Sequence, residues 1–116
     1  MSRTTVATIH LGALRHNLAL IQRAAAPARV MAVVKADAYG HGLERVARAL
    51  DGQAEAFAVA ALGDGLRLRA AGHGQRIAVL SGPDQPGDIA EMQRLGLDAA
   101  IHHEAQLAWL ADASPR

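Results

Sequence analysis

The chain has 116 residues, 51% of them hydrophobic, with one Trp, one Tyr, one Phe, no cysteine and a net charge of +1. This is the size of one small domain, and its core must come from Leu, Ile and Val because alanine buries little area per residue. Disulfides, thiolate chemistry and cysteine-ligated metals are excluded, no basic stripe or aromatic platform suits a nucleic acid, and no secretory leader or membrane-length apolar run is legible, so a soluble, cytoplasmic protein is expected.

Residues 4–10 carry β-branched side chains and predict a short strand. Leu11, Leu14, Leu18 and Ile21 then recur at helical spacing, which predicts an amphipathic helix over 11–26 closed by Pro27. Residues 29–36 form a continuous apolar run, the pattern of a strand buried on both faces of a parallel sheet. Leu43, Val46, Ala47 and Leu50 mark the next helix, ending near Asp51-Gly52.

The alternation continues with a strand over 56–61, a helix over 62–71 stopped by Gly72, and a strand over 76–80. After the turn Ser81-Gly82-Pro83, Asp88 is a candidate cap for a helix through Leu95. A short strand over 98–102 and a helix over 104–113 complete the chain. Unbroken strand–helix alternation implies parallel strands joined by crossover helices, as in an open doubly wound sheet or part of a (β/α)8 barrel.

Lys35 ends the most apolar strand, and residues at the carboxyl ends of parallel strands face the site in both architectures. A lysine emerging from buried apolar surroundings is desolvated, which favours a neutral amine able to attack an aldehyde. In the following loop, Gly40 and Gly42 permit close backbone approach, Tyr39 offers a phosphate-binding hydroxyl, Asp37 is placed to cap or orient, and a helix opens near Leu43. His102-His103-Glu104 does not make a metal site, since adjacent strand residues point to opposite faces, and none is expected elsewhere. His41 suits loop packing, His10, His16 and His73 have no evident partners, and the helical arginines read as a solvated surface.

The run Val33-Val34-Lys35-Ala36-Asp37-Ala38-Tyr39-Gly40-His41-Gly42 resembles the pyridoxal-phosphate lysine motif of alanine racemases, which usually has Asn in place of Asp37. The likeness extends through Ala13-Leu14-Arg15-His16-Asn17-Leu18, Phe57-Ala58-Val59-Ala60, Leu66-Arg67-Leu68-Arg69-Ala70-Ala71-Gly72, Ile77-Ala78-Val79-Leu80-Ser81-Gly82 and residues 102–107. One departure is Leu62-Gly63-Asp64-Gly65, where the family usually has an acidic pair and then a small residue. Two glycines there are expected to weaken the helix start by roughly 1 kcal/mol each.

The resemblance implies an α/β fold, an incomplete (β/α)8 TIM-type barrel, with residues 1–116 the N-terminal portion of the cofactor-binding barrel domain. It implies pyridoxal 5′-phosphate as cofactor, carried by Lys35 as a Schiff base, with Lys35 also the catalytic base on the D-alanine face. Tyr39 would contact the cofactor phosphate and Leu80 its ring. The substrate would be alanine, the product D-alanine for peptidoglycan, and the full-length family protein a homodimer. The second base in the family is a tyrosine of a separate C-terminal β domain, and the only tyrosine here is Tyr39. These 116 residues alone are therefore expected to have little or no racemase activity. The alternatives are a cofactor-handling barrel protein without racemase chemistry and a non-catalytic truncated module.

Overall fold

The structure, a computed structural model, describes residues 4–113. Helix α1 (Leu11–Ala25) is followed by β1 (Met31–Val33), the single helical turn α2 (Lys35–Tyr39), and α3 (Leu43–Leu50). Then come β2 (Ala56–Val59), α4 (Leu62–Ala70), β3 (Arg76–Val79), α5 (Asp88–Leu95), β4 (Asp98–Ala99) and α6 (Glu104–Asp112). The four strands form one parallel sheet in the order β1-β2-β3-β4. A strand order that follows the sequence without reversal is that of a (β/α)8 barrel wall, whereas a doubly wound sheet reverses at a switch point.

Which face is covered agrees. Ala32 pairs with Phe57, Phe57 with Ile77, and Val59 with Val79. These outward residues form the core with Leu18, Leu43, Val46, Leu50, Leu68 and Met92 from the helices. Val34, of the same parity as Ala32, is 3% exposed, while Met31 and Val33 on the opposite face are 39% and 41% exposed. The apolar run of β1 is therefore buried on its helix side alone among the described residues, which corrects the expectation of burial on both faces.

The helices lie where their periodicity puts them, with ends shifted by a residue or two. The strands are shorter than their apolar runs because a ladder ends where the neighbour ends. Residues 4–10 are not a strand: no described strand lies alongside to accept their backbone bonds, and Val6 stands 75% exposed. Asp88 does not cap α5, whose N-cap is Gly87. Its carboxylate instead accepts hydrogen bonds from the Asp84 N–H (2.9 Å) and the Gln85 side chain, holding the preceding turn.

Candidate functional site

Lys35 follows β1 at the carboxyl edge of the sheet, where the Val34 N–H still donates to the Ala58 carbonyl. Ala60 and Leu80 are the first residues past Val59 and Val79, the paired ends of β2 and β3, and Lys35 is the second past Val33, the end of β1, after Val34 has left the extended conformation at φ −120° and ψ 24°. All three stand at the carboxyl edge of the sheet, on the ends of neighbouring strands.

Lys35 is the only lysine in the chain. It is exposed, and its amine has no hydrogen-bond or ion-pair partner among the described residues. The buried apolar setting expected for it is not present, because the inner residues beside it, Met31 and Val33, are themselves open. What distinguishes this amine is a lack of competing carboxylates, not desolvation by the described residues.

The loop after Lys35 holds a conformation that no sequence pattern announced. Ala36, Asp37, Ala38 and Tyr39 have φ of 54°, 56°, 54° and 56°, and the first three have ψ of 48°, 43° and 45°. This is one turn of left-handed helix, unfavourable for L-residues by roughly 1–2 kcal/mol each. Gly40 extends it at φ 90°, where glycine carries no such penalty. Backbone bonds within the turn offset part of the cost: Ala38 N–H to Val34 O, Gly40 N–H to Ala36 and Asp37 O, and Gly42 N–H to Asp37 O. His41 packs on the same turn through Nδ1 and the Ala38 carbonyl, 3.1 Å apart.

Asp37 closes the turn onto α3. Its Oδ1 accepts the Leu43 N–H at 2.9 Å, satisfying a first-turn amide that the N-cap residue Gly42 cannot reach. Arg67, from α4, lies 3.5 Å from the same Oδ1 and grips both carboxylate oxygens of Glu44 at 2.6 and 2.7 Å. Asp64 adds a third carboxylate at 3.6 Å. The Arg67 hydrogen bond holds the Glu44 carboxyl below its ordinary range, and Glu44 in turn raises the Arg67 guanidinium.

Tyr39 is 60% exposed and its hydroxyl has no partner among the described residues. It lines a groove along the outer edge of β1 with Ile21, Met31, Val33 and His41. Lys35 and Leu80 thus both stand at the carboxyl edge, just past the ends of β1 and β3, while Tyr39 lines the groove beyond β1. The Leu80 backbone is fixed on both sides, its N–H donating to Val59 and its carbonyl bonded to His102 Nε2.

Other polar residues do work that the sequence reading missed. Arg69 is no solvated surface arginine: it donates to the carbonyls of Leu95, His73, Gln75 and Gly96, pinning the turn after α4 to the end of α5. His73 is 6% exposed, bonds Asp51 at 3.1 Å and meets Phe57 edge-on. Gln106 is 2% exposed, and its amide group ties the Ser81–Pro83 turn to His102. The signal for each was weak, since the partners lie 4 to 27 residues away in sequence. Among the described residues no cluster of metal-ligating side chains occurs, and no helix is long and apolar enough to cross a membrane.

Comparison with known proteins adds to this geometry. Residues 9–116 match the family model described as "Alanine racemase, N-terminal domain". An alanine racemase of Marinobacter nauticus is 45% identical over all of this chain and 33% of its own length. That of Acidovorax sp. (strain JS42) is 49% identical over 96% of this chain and 30% of its own. The crystal structure of biosynthetic alanine racemase from Pseudomonas aeruginosa superposes with a TM-score of 0.84 at 40% identity, covering 87% of this chain and 28% of that one. The chain spans about a third of the length of the curated relatives it matches.

Proposed function

The chain belongs to the alanine racemase N-terminal domain family, and from that premise we propose that it forms the cofactor-lysine portion of a pyridoxal-phosphate-dependent enzyme interconverting L- and D-alanine. The observation that carries the reading is Lys35: the sole lysine, without a partner among the described residues, at the carboxyl edge of the parallel sheet. The residues present fit an aldehyde-bearing, phosphorylated aromatic cofactor. Lys35 offers the amine, Leu80 an apolar side chain for the ring at the same edge of the sheet, and Tyr39 a hydroxyl for the phosphate that has no partner among the described residues.

Bound there, pyridoxal phosphate supplies a conjugated system that delocalises the charge left when the α-proton of an amino acid departs. Lys35 would hold the cofactor through Nζ and, as a neutral amine, would take or return a proton on the D-alanine face. Inverting the α-carbon also requires an acid–base group on the opposite face. In this reading Tyr39 serves the phosphate, and these 116 residues hold no second tyrosine. No residue of this chain is assigned as the opposing group or the substrate-carboxylate anchor, so the 116 residues alone are expected to have little or no racemase activity.

The test uses the chain itself. Purified protein is incubated with pyridoxal phosphate, reduced with borohydride, digested and sequenced by mass spectrometry. The expected result is a pyridoxyl mass on the peptide containing Lys35, absent in Lys35→Ala. With one lysine, the only competing amine is the N-terminus, which falls in a different peptide. Labelling confined to that terminus overturns the assignment.

A further inference from the structure

Four consecutive non-glycine residues in left-handed geometry do not hold themselves; the Ala38 N–H on the Val34 carbonyl and the buried Ala38 methyl tie the turn to the end of β1, but neither reaches the helices around it. Asp37 is the one side chain of the turn that is bonded outside it: one oxygen accepts the Leu43 N–H of α3 and faces the Arg67 guanidinium of α4. Arg67 is fixed in its turn by both oxygens of Glu44, in the first turn of α3, and by Asp64 on its own helix. The guanidinium therefore bridges the turn that follows Lys35 to both helices flanking β2.

We infer that Arg67 is a positioning residue for the cofactor lysine, holding the left-handed turn in place by bridging Asp37 to Glu44. The inference rests on the reading of Lys35 given above. Arg67 touches neither cofactor nor substrate; it acts through Asp37 on the backbone that leaves Lys35. Two of its features suit the task. Its planar fork meets Glu44 with two parallel bonds, a geometry an ammonium cannot reproduce. Its Nη2, which donates to Glu44, also lies 3.5 Å from Asp37, so one nitrogen joins the two carboxylates, while Nη1 faces Asp64. The arrangement also gives an Asp at position 37 a role beyond capping, since a neutral cap would accept the Leu43 N–H equally well but offer Arg67 no charge.

The experiment compares Arg67→Met, Arg67→Lys, Asp37→Asn and the Asp37→Asn/Arg67→Met double variant in this chain, with two readouts. Without cofactor, hydrogen exchange is followed at the Leu43 amide, with the Ile77 and Val79 amides of the sheet as the fold control. Arg67→Met is expected to speed Leu43 exchange about threefold to tenfold, as for a networked, half-exposed ion pair, while the sheet amides are unchanged. Arg67→Lys restores only part of the protection, and Arg67→Met has little further effect in a chain already carrying Asp37→Asn. An equal effect of Arg67→Met with and without Asp37→Asn overturns the bridge, because Arg67 then acts on α4 alone. With cofactor, the pyridoxal phosphate concentration giving half-maximal borohydride trapping at Lys35 is expected to rise by a similar factor in Arg67→Met. Unchanged trapping despite faster Leu43 exchange overturns the link to the lysine. If the unsubstituted chain is not trapped at Lys35 at all, the functional reading fails, and Leu43 exchange by itself decides whether Arg67 holds the turn.

Discussion

Replacing Gln106 by leucine tests whether polar pins hold the carboxyl edge of this sheet. The side chain is 2% exposed. Its Nε2 donates to the carbonyls of Ser81 at 3.1 Å and Pro83 at 2.9 Å, and its Oε1 accepts the His102 N–H at 2.7 Å. Leucine nearly matches the volume, so the cavity term is small and the loss is that of three hydrogen bonds. At about 1 kcal/mol net each, the cost is about 3 kcal/mol. The Ser81 carbonyl lies in an exposed residue and regains water, which lowers the figure; Pro83 is buried and its orphaned carbonyl raises it. Urea titration followed by far-ultraviolet circular dichroism measures the change, with the slope expected to stay constant and the midpoint to fall. Hydrogen exchange at Gly82, whose N–H bonds Val79 within the same turn, should accelerate more than exchange at β2. A loss below about 1 kcal/mol at constant slope, far short of three buried bonds, refutes the reasoning.

Gly63→Ala is expected to stabilise the chain by about 1 kcal/mol in the same titration, since nothing lies within 4 Å of the added methyl and helix propensity alone changes. Gly65→Ala gains less or nothing, because its methyl meets Leu97 Cδ1 at 2.9 Å and that side chain must move. Gly82→Ala destabilises by roughly 1–3 kcal/mol or more, its methyl falling 2.2 Å from the Ala100 carbonyl at a backbone φ of 69°. The carboxyls of Glu44 and Asp51 are held below their ordinary range by hydrogen bonds from Arg67 and from His73. Groups depressed in the folded state add stability that is complete above the ordinary carboxylate range and is lost as pH falls through it towards the depressed values. The urea midpoint should therefore drop across that acid window, and Arg67→Met should remove the Glu44 share of the drop.

Helices were legible because their signals are local. Leu43, Val46, Ala47 and Leu50 mark the buried side of α3, and all four are buried. The sheet was legible as an order of elements but not in extent, since strand length depends on a partner. Residues 4–10 have strand-forming side chains and no neighbour, while Asp98–Ala99 form a strand two residues long because only Ala78 and Val79 pair with them. The apolar run before Lys35 reads the same whether one face is covered or two, and only the uneven exposure of Val33 and Val34 distinguishes the cases. Lys35 and Leu80 could be placed at strand ends, but which strand lies between those ends required the sheet order. The left-handed turn was hidden because alanine, aspartate and tyrosine are ordinary right-handed residues locally, and Asp37's tolerance of this geometry gives only a slight hint.

The carboxyl edge and the core below it are built on different principles. Beneath the sheet, Phe57, Ile77, Val59 and Leu68 are fully buried aliphatic or aromatic side chains, and their packing is non-directional. At the edge, each loop is fixed by a directed polar bond: Asp37 and Arg67 after β1, Ser81 Oγ to the Ala60 carbonyl after β2, Gln106 and His102 after β3. Core substitutions should therefore change stability broadly while leaving the Lys35 turn in place. Substitutions of the pins should do the reverse, shifting local exchange and cofactor trapping more than the urea midpoint where the pin is exposed, as with Arg67. Gln106 is the pin that does both, because it alone among these five side chains belongs to a buried residue, so comparing it with Arg67 separates the precision of the edge from the stability of the wall.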